Sequence, residues 1–215
     1  MKKIAVVLAG NGVYDGSEIH EATLTMLAIV RHGAKYQCFA PDVQQAHVVN
    51  HLTGQEMPET RNVLVEAARI ARGNIMPLSQ YRAEDYDAIL FPGGFGAAKN
   101  LCSFAFEGTN CKVNPDVEKA VRSTVVAEKP VGALCISPVL ITKILGDVNV
   151  TIGDDQSTIE AIEVMGGSHR KTGHGEIVTD EKYKVVTTPC YMLDATIDQI
   201  ADGADAVVKK VLELV

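Results

Sequence analysis

"PVGALCISPVL", residues Pro130 to Leu140, sets a cysteine at the point where an apolar run gives way to a helical pattern. Val131 to Leu134 reads as a short buried strand. Ser137 to Leu145 reads as a helix with Pro138 near its start, where the missing N–H is not needed. Cys135 therefore falls on the corner between strand and helix. A residue so placed is held in a strained backbone conformation, with its side chain in the cleft above the strand end and the next amide facing the same point. The partial positive charge at the helix start favours a thiolate, so the position predicts a lowered pKa for Cys135. The competing explanation is an inert core thiol that ends a buried strand.

Outward from this corner, runs of β-branched and aliphatic residues alternate with helical periodicity. Strands are expected at Ile4 to Ala9, Ala34 to Ala40, Asp87 to Phe91, Val148 to Ile152, Glu176 to Val178 and Lys184 to Thr187. Helices are expected at Ser17 to His32, Asn62 to Arg72, Asn114 to Ala127 and Ala195 to Leu214, the last with a break near Gly203. The alternation predicts an α/β fold, a doubly wound and mainly parallel sheet covered on both faces. Pro41 to Thr60 is polar and weakly periodic, and reads as an excursion between core units.

A chain of 215 residues, 47% of them apolar, suffices for one buried core and points to a single domain spanning residues 1–215. The net charge of −7 leaves no basic stripe for nucleic acid. No apolar stretch is long enough to span a bilayer. "MKKIAVVLAG" has the opening of a signal peptide, but it runs into glycine and acidic residues and reads better as a first strand. Five irregularly spaced cysteines, Cys38, Cys102, Cys111, Cys135 and Cys190, predict free thiols in a reducing compartment, taken here as the cytoplasm. The same reasoning argues against a Cys102–Cys111 disulfide.

In a doubly wound sheet, ligands bind at the carboxyl ends of the strands. Four loops are expected there: "AGNGVYDGSEIHEA", "FPGGFGAAKN", "LCISP" and "TTPCYML". In the second loop the paired glycines allow exposed amides, so Gly94 and Ile136 are candidates to donate N–H groups to a developing oxyanion. The first loop supplies acids. Asp15, Glu18 and Glu21 crowd a helix start, where capping explains some of them. Glu18 and Glu21 share a helix face, and whichever points to the strand ends reaches the thiol, with a pKa raised by burial.

The "EIHE" helix start at Glu18 to Glu21, "PGG" at Pro92 to Gly94 and "ALCISP" at Ala133 to Pro138 resemble the ThiJ/PfpI superfamily. Longer words, "GVYDGSEIHEA", "RNVLVEAARIARG", "PGGFGAAKNL" and "VVTTPCYM", closely resemble its ElbB-type, isoprenoid-biosynthesis-associated branch along nearly the whole chain. The resemblance implies a flavodoxin-like, class I glutamine amidotransferase-like fold and commonly a homodimer. It also implies Cys135 as nucleophile, Glu21 as its acidic partner, and Gly94 and Ile136 as the oxyanion amides. Two departures matter. Many superfamily members place histidine directly after the cysteine, where this chain has Ile136, and "TTPCYM" replaces the late histidine–glutamate pair of glutaminases. Both disfavour a glutaminase or a Cys–His peptidase.

His20 and His174 are candidate substitutes for the missing base, though adjacent helical residues point about 100° apart, which sets His20 away from Glu21. Cys190, expected near Cys135, packs there or forms an oxidisable pair with it. His47 and His51 have i,i+4 spacing but lack the glutamate and further ligands of a zinc site, so no metal is expected. "GNGVYDG" has the glycines of a dinucleotide loop, yet its acids occupy the helix start that a pyrophosphate would need. The expectation is thus a cofactor-free enzyme acting on small reactive aldehydes, of the methylglyoxal-to-lactate type. The alternative is a non-enzymatic redox-sensing or partner-binding role.

Overall fold

The computed structural model describes all residues, 1–215. Seven strands form one sheet in the order β3-β2-β1-β4-β5-β9-β8. They are β1 (Lys3–Val7), β2 (Lys35–Ala40), β3 (Ile75–Pro77), β4 (Ala88–Phe91), β5 (Val131–Leu134), β8 (Val178–Asp180) and β9 (Val185–Thr188). All neighbours pair in parallel except β8 with β9. A separate parallel ribbon joins β6 (Asn149–Val150) to β7 (Ser168–His169).

The period of two along each strand divides the core. Ile4, Val6, Leu8, Ala88, Leu90 and Leu134 face one side of the sheet. Ala5, Val7, Ile89, Phe91, Val131 and Ala133 face the other. Strands apolar on both faces must be covered on both, which is why they read as continuous apolar runs. The first side is covered by α1 (Ile19–Arg31), α2 (Val63–Ile70) and α7 (Ile197–Glu213). The α7 residues Ile200, Ala204, Val207, Val208 and Val211 recur at helical spacing and are buried. The second side packs α4 (Pro115–Val126), α5 (Ser137–Leu145) and α6 (Gln156–Val164), with the short α3 (Phe104–Glu107) beside them.

Three expectations need correction. The predicted strand Val148 to Ile152 does not join the main sheet. Asn149 and Val150 pair only with β7, and past them the amides go to side chains, Thr151 N–H to Thr187 Oγ1 at 2.9 Å and Ile152 N–H to His169 Nε2 at 3.2 Å. The last helix passes through Gly203 unbroken, because that position faces Thr188 and Cys190 at close range and a glycine lets the helix approach. The strand predicted from Glu176 begins later, at Val178. The Pro41 to Thr60 excursion folds back on the first loop: Val49 N–H donates to Asp15 Oδ2 at 2.6 Å and Ala46 N–H to Asn100 Oδ1 at 2.9 Å.

Candidate active site

Cys135 has φ +60, in the left-handed region that side chains rarely adopt. The chain leaves β5 there and enters α5 with Pro138 in its first turn. Ser137 Oγ donates to Pro92 O at 2.9 Å, which ties this corner to the loop after β4. That loop is interlocked with the first one. Glu18 N–H donates to Gly93 O at 2.9 Å, Phe95 N–H to Val13 O at 2.8 Å and Gly96 N–H to Gly16 O at 2.9 Å. A side chain on Gly94 would lie 2.3 Å from the Glu18 nitrogen, so only glycine allows the two loops to close together.

Glu21 projects from the first turn of α1 and is fully buried. Its Oε2 accepts from Gly93 N–H at 2.8 Å and its Oε1 from Tyr191 N–H at 3.3 Å, and the carboxyl and the Cys135 sulfur both lie against Gly93. Burial, with the nearby charge of Glu18, pushes the Glu21 carboxyl from 4.5 up to about 7, despite those amide bonds. Glu18 is the helix cap, its Oε2 accepting from Glu21 N–H at 2.7 Å. The two acids thus divide the work: one caps the helix and the other meets the thiol.

The N–H groups of Gly94 and Ile136 lie close enough to the Cys135 sulfur to stabilise its ionised form. They favour a thiolate, as the helix start does, but burial and the charge of Glu21 outweigh them and hold the thiol well above its usual range. The expected lowering of the Cys135 pKa is therefore corrected: the resting site carries a protonated thiol beside a carboxyl that titrates near neutrality. The physical reason is that two anions cannot share one buried site.

A raised carboxyl has a signature in stability. The unfolded chain ionises Glu21 near 4.5 and the folded chain near 7, so the native state binds the extra proton between these values. Its contribution is fully present below pH 4.5 and lost as pH rises through 7, by about 3 kcal/mol in total. Denaturant melts across this window should show that decline in wild type and its absence in Glu21→Gln; equal slopes would contradict the burial of this carboxyl.

The thiol opens on a cavity of about 360 Å³. All four sequence-predicted loops line it, through Val13, Phe95, Ile136 and Tyr191 among others. Phe104, Asp155 and Thr158 also line it and were not anticipated. The pattern "DDQST" could have revealed Asp155 as a helix cap: its carboxylate accepts from Thr158 N–H at 2.9 Å, Thr158 Oγ1 at 2.7 Å and Ser157 Oγ at 2.8 Å.

The candidate histidines do not reach the thiol. His20 lies outside the cavity, its Nδ1 2.8 Å from Tyr191 Oη, and it holds that ring at the rim. His174 is exposed in its glycine-flanked loop and does not line the cavity, so it is no substitute base. His51 is occupied by Tyr14 N–H at 3.1 Å and by Val49 O at 3.0 Å, while His47 packs edge-on against Phe106. Cys190 is buried beside the site with φ +43, and this turn sends Tyr191 N–H back to Glu21. Burial and the charges of Glu21 and Cys135 push its thiol up as well. All five cysteines are free.

No family model matches the chain. It is 49% identical over 222 residues to the human glutamine amidotransferase-like class 1 domain-containing protein 3, mitochondrial, covering 99% of this chain and 83% of that protein. It is 48% identical over 222 residues to the rat ES1 protein homolog, mitochondrial, covering 99% and 84%. The chain belongs to the ES1 family of glutamine amidotransferase-like proteins. Among solved structures, an isoprenoid biosynthesis protein with an amidotransferase-like domain from Ehrlichia chaffeensis superposes with a TM-score of 0.94 at 37% identity, covering 100% of this chain and 99% of that one. The resemblance to the ElbB-type, isoprenoid-biosynthesis-associated proteins and the fold drawn from it are thereby borne out, and a ThiJ/PfpI domain protein from Brachyspira murdochii shares that fold at 17% identity and a TM-score of 0.60. Glyoxalase III of Candida albicans shares the fold alone, at 15% identity and a TM-score of 0.63 over 99% and 97% of the two chains. The expected cytoplasmic location does not stand, because the human and rat members of the ES1 family are both named mitochondrial. Free cysteines report a reducing environment and not which compartment supplies it.

Proposed function

We propose that the protein is a cofactor-independent, cysteine-dependent enzyme that converts 2-oxoaldehydes to 2-hydroxy acids. One observation carries this reading: the Cys135 sulfur and the buried Glu21 carboxyl, which titrates near neutrality, meet at Gly93, with the N–H groups of Gly94 and Ile136 beside the sulfur. In the first step the sulfur attacks the aldehyde carbon, Glu21 accepts the thiol proton as the S–C bond forms, and the N–H groups of Gly94 and Ile136 hold the new alkoxide. The alkoxide is protonated to a hemithioacetal. Glu21, again ionised, then removes the proton on the former aldehyde carbon, giving an enediol. Its return to the neighbouring carbon yields a thioester of the 2-hydroxy acid. Water cleaves the thioester and restores the thiol, so the net change is addition of one water with no external oxidant or reductant.

A general base needs a pKa near the working pH, and Glu21 has it at about 7. A glutaminase reading is weaker, because no histidine lines the cavity. A redox sensor needs a low-pKa thiol, whereas burial and the charge of Glu21 raise that of Cys135. Lactate formation from methylglyoxal by wild type and Cys135→Ser tests the proposal. The variant is expected to lose at least 10³-fold in kcat/KM, in line with removal of a nucleophile that acts as a unit with its base; equal activity would remove Cys135 from the chemistry.

A further inference from the structure

We propose that the Cys135 cavity selects uncharged 2-oxoaldehydes with a bulky apolar substituent, aryl or branched alkyl, over methylglyoxal. This rests on the aldehyde reading above and names its substrate class.

Three features of the cavity point the same way. Its volume of about 360 Å³ lies in the range of pockets that hold drug-sized molecules, and methylglyoxal would leave most of it to water. Nine of its 12 lining residues are hydrophobic, among them Phe95, Phe104, Ala105 and Met192. Its polar groups are already committed or gathered at one end. Asp155 Oδ2 is engaged as a helix cap, Tyr191 Oη is paired with His20, and the amides of Gly94 and Ile136 are gathered at Cys135. That leaves donors at Cys135 suited to a carbonyl, and a mainly apolar lining that fits a hydrocarbon body.

Charge sets the second half of the selection. No lysine, arginine or histidine lines the cavity. Glu21 lies against the sulfur and Asp155 lines the wall, so a substrate carrying a carboxylate or phosphate would meet like charge without a partner. The hydroxy acid formed in the reaction gains that charge on release from sulfur, and the same field expels it.

The test uses two readouts on the intact protein. One is kcat/KM for phenylglyoxal against methylglyoxal. A single methylene in an apolar pocket changes this ratio by about 10–200-fold, so phenyl in place of methyl is expected to favour phenylglyoxal at least tenfold. The other is the alkylation rate of Cys135 by phenacyl bromide, iodoacetamide and iodoacetate, each divided by its rate with free cysteine. The neutral aryl reagent should lead and the anionic one should trail by at least tenfold. Ala105→Phe should bring the aldehyde ratio toward one, since Ala105 lies on the cavity wall at the solvent edge and a larger side chain narrows the site without overpacking the core. Methylglyoxal preferred in wild type, or iodoacetate labelling as fast as phenacyl bromide, would overturn the proposal. If neither aldehyde turns over while phenacyl bromide still leads, the enzymatic reading falls and the apolar selectivity stands. No labelling by any reagent would overturn both.

Discussion

Gly93→Ala is expected to lower aldehyde turnover by on the order of 10²-fold while leaving a folded protein. A methyl group on Gly93 would lie 2.4 Å from Cys135 Cβ, 2.7 Å from Glu21 Oε2 and 2.9 Å from Cys135 Sγ. None of these neighbours can retreat freely. Cys135 is fixed by the corner between β5 and α5, and Glu21 by the amides of Gly93 and Tyr191. The added carbon must therefore push nucleophile and base apart, and a misplacement of about 1 Å costs on the order of 10²-fold in rate. Overpacking of this kind costs about 1–3 kcal/mol of stability. Gly33→Ala is the matched control. It sits at φ +75 with no atom within 4 Å, so it should lose a similar amount of stability through backbone strain and keep full turnover. Equal kinetic losses in both variants, read beside their melting curves, would mean that Gly93 acts through stability alone.

Glu21→Gln should separate two properties that a simple knockout would merge. Without the carboxylate nothing accepts the thiol proton or moves the proton of the hemithioacetal, and loss of general acid–base catalysis lowers kcat by about 10²–10⁴. The same change removes a buried charge. Above pH 7 the variant should be more stable than wild type by about 3 kcal/mol, because the folded chain no longer ionises a carboxyl that burial has raised from 4.5 to about 7. Slower and more stable is the expected pattern for a strained functional group. A variant both slower and less stable would make Glu21 a packing residue.

Much of this site was legible in the sequence because chain geometry leaves few choices at a strand–helix corner. Cys135 followed from the apolar run and Pro138, and Gly94 and Ile136 from the glycines and the elbow. Glu18 and Glu21 were harder, since three-residue spacing puts both on one face; only the structure shows Glu18 bent back to cap the helix and Glu21 turned inward. The fold was readable where strands are apolar on both faces, as in β1, β4 and β5. It was not readable at β3, three residues ending in Pro77 at the sheet edge, where no periodicity can develop. Nor was it readable at α6, which buries only Thr158 and Ile162 and so lacks a continuous apolar stripe. The sign of the Cys135 shift depended on the balance between a helix start and a buried anion, and that balance is a property of packing.

The most direct test of the coupled pair is the pH dependence of Cys135 alkylation in wild type and Glu21→Gln, followed by mass spectrometry of the modified peptide. The account predicts a wild-type midpoint above the free-thiol value of about 8.5 and a midpoint at least one pH unit lower in Glu21→Gln, where the amides of Gly94 and Ile136 face a thiolate with no anion beside it. A wild-type midpoint below 7, or one that Glu21→Gln leaves unmoved, would contradict it.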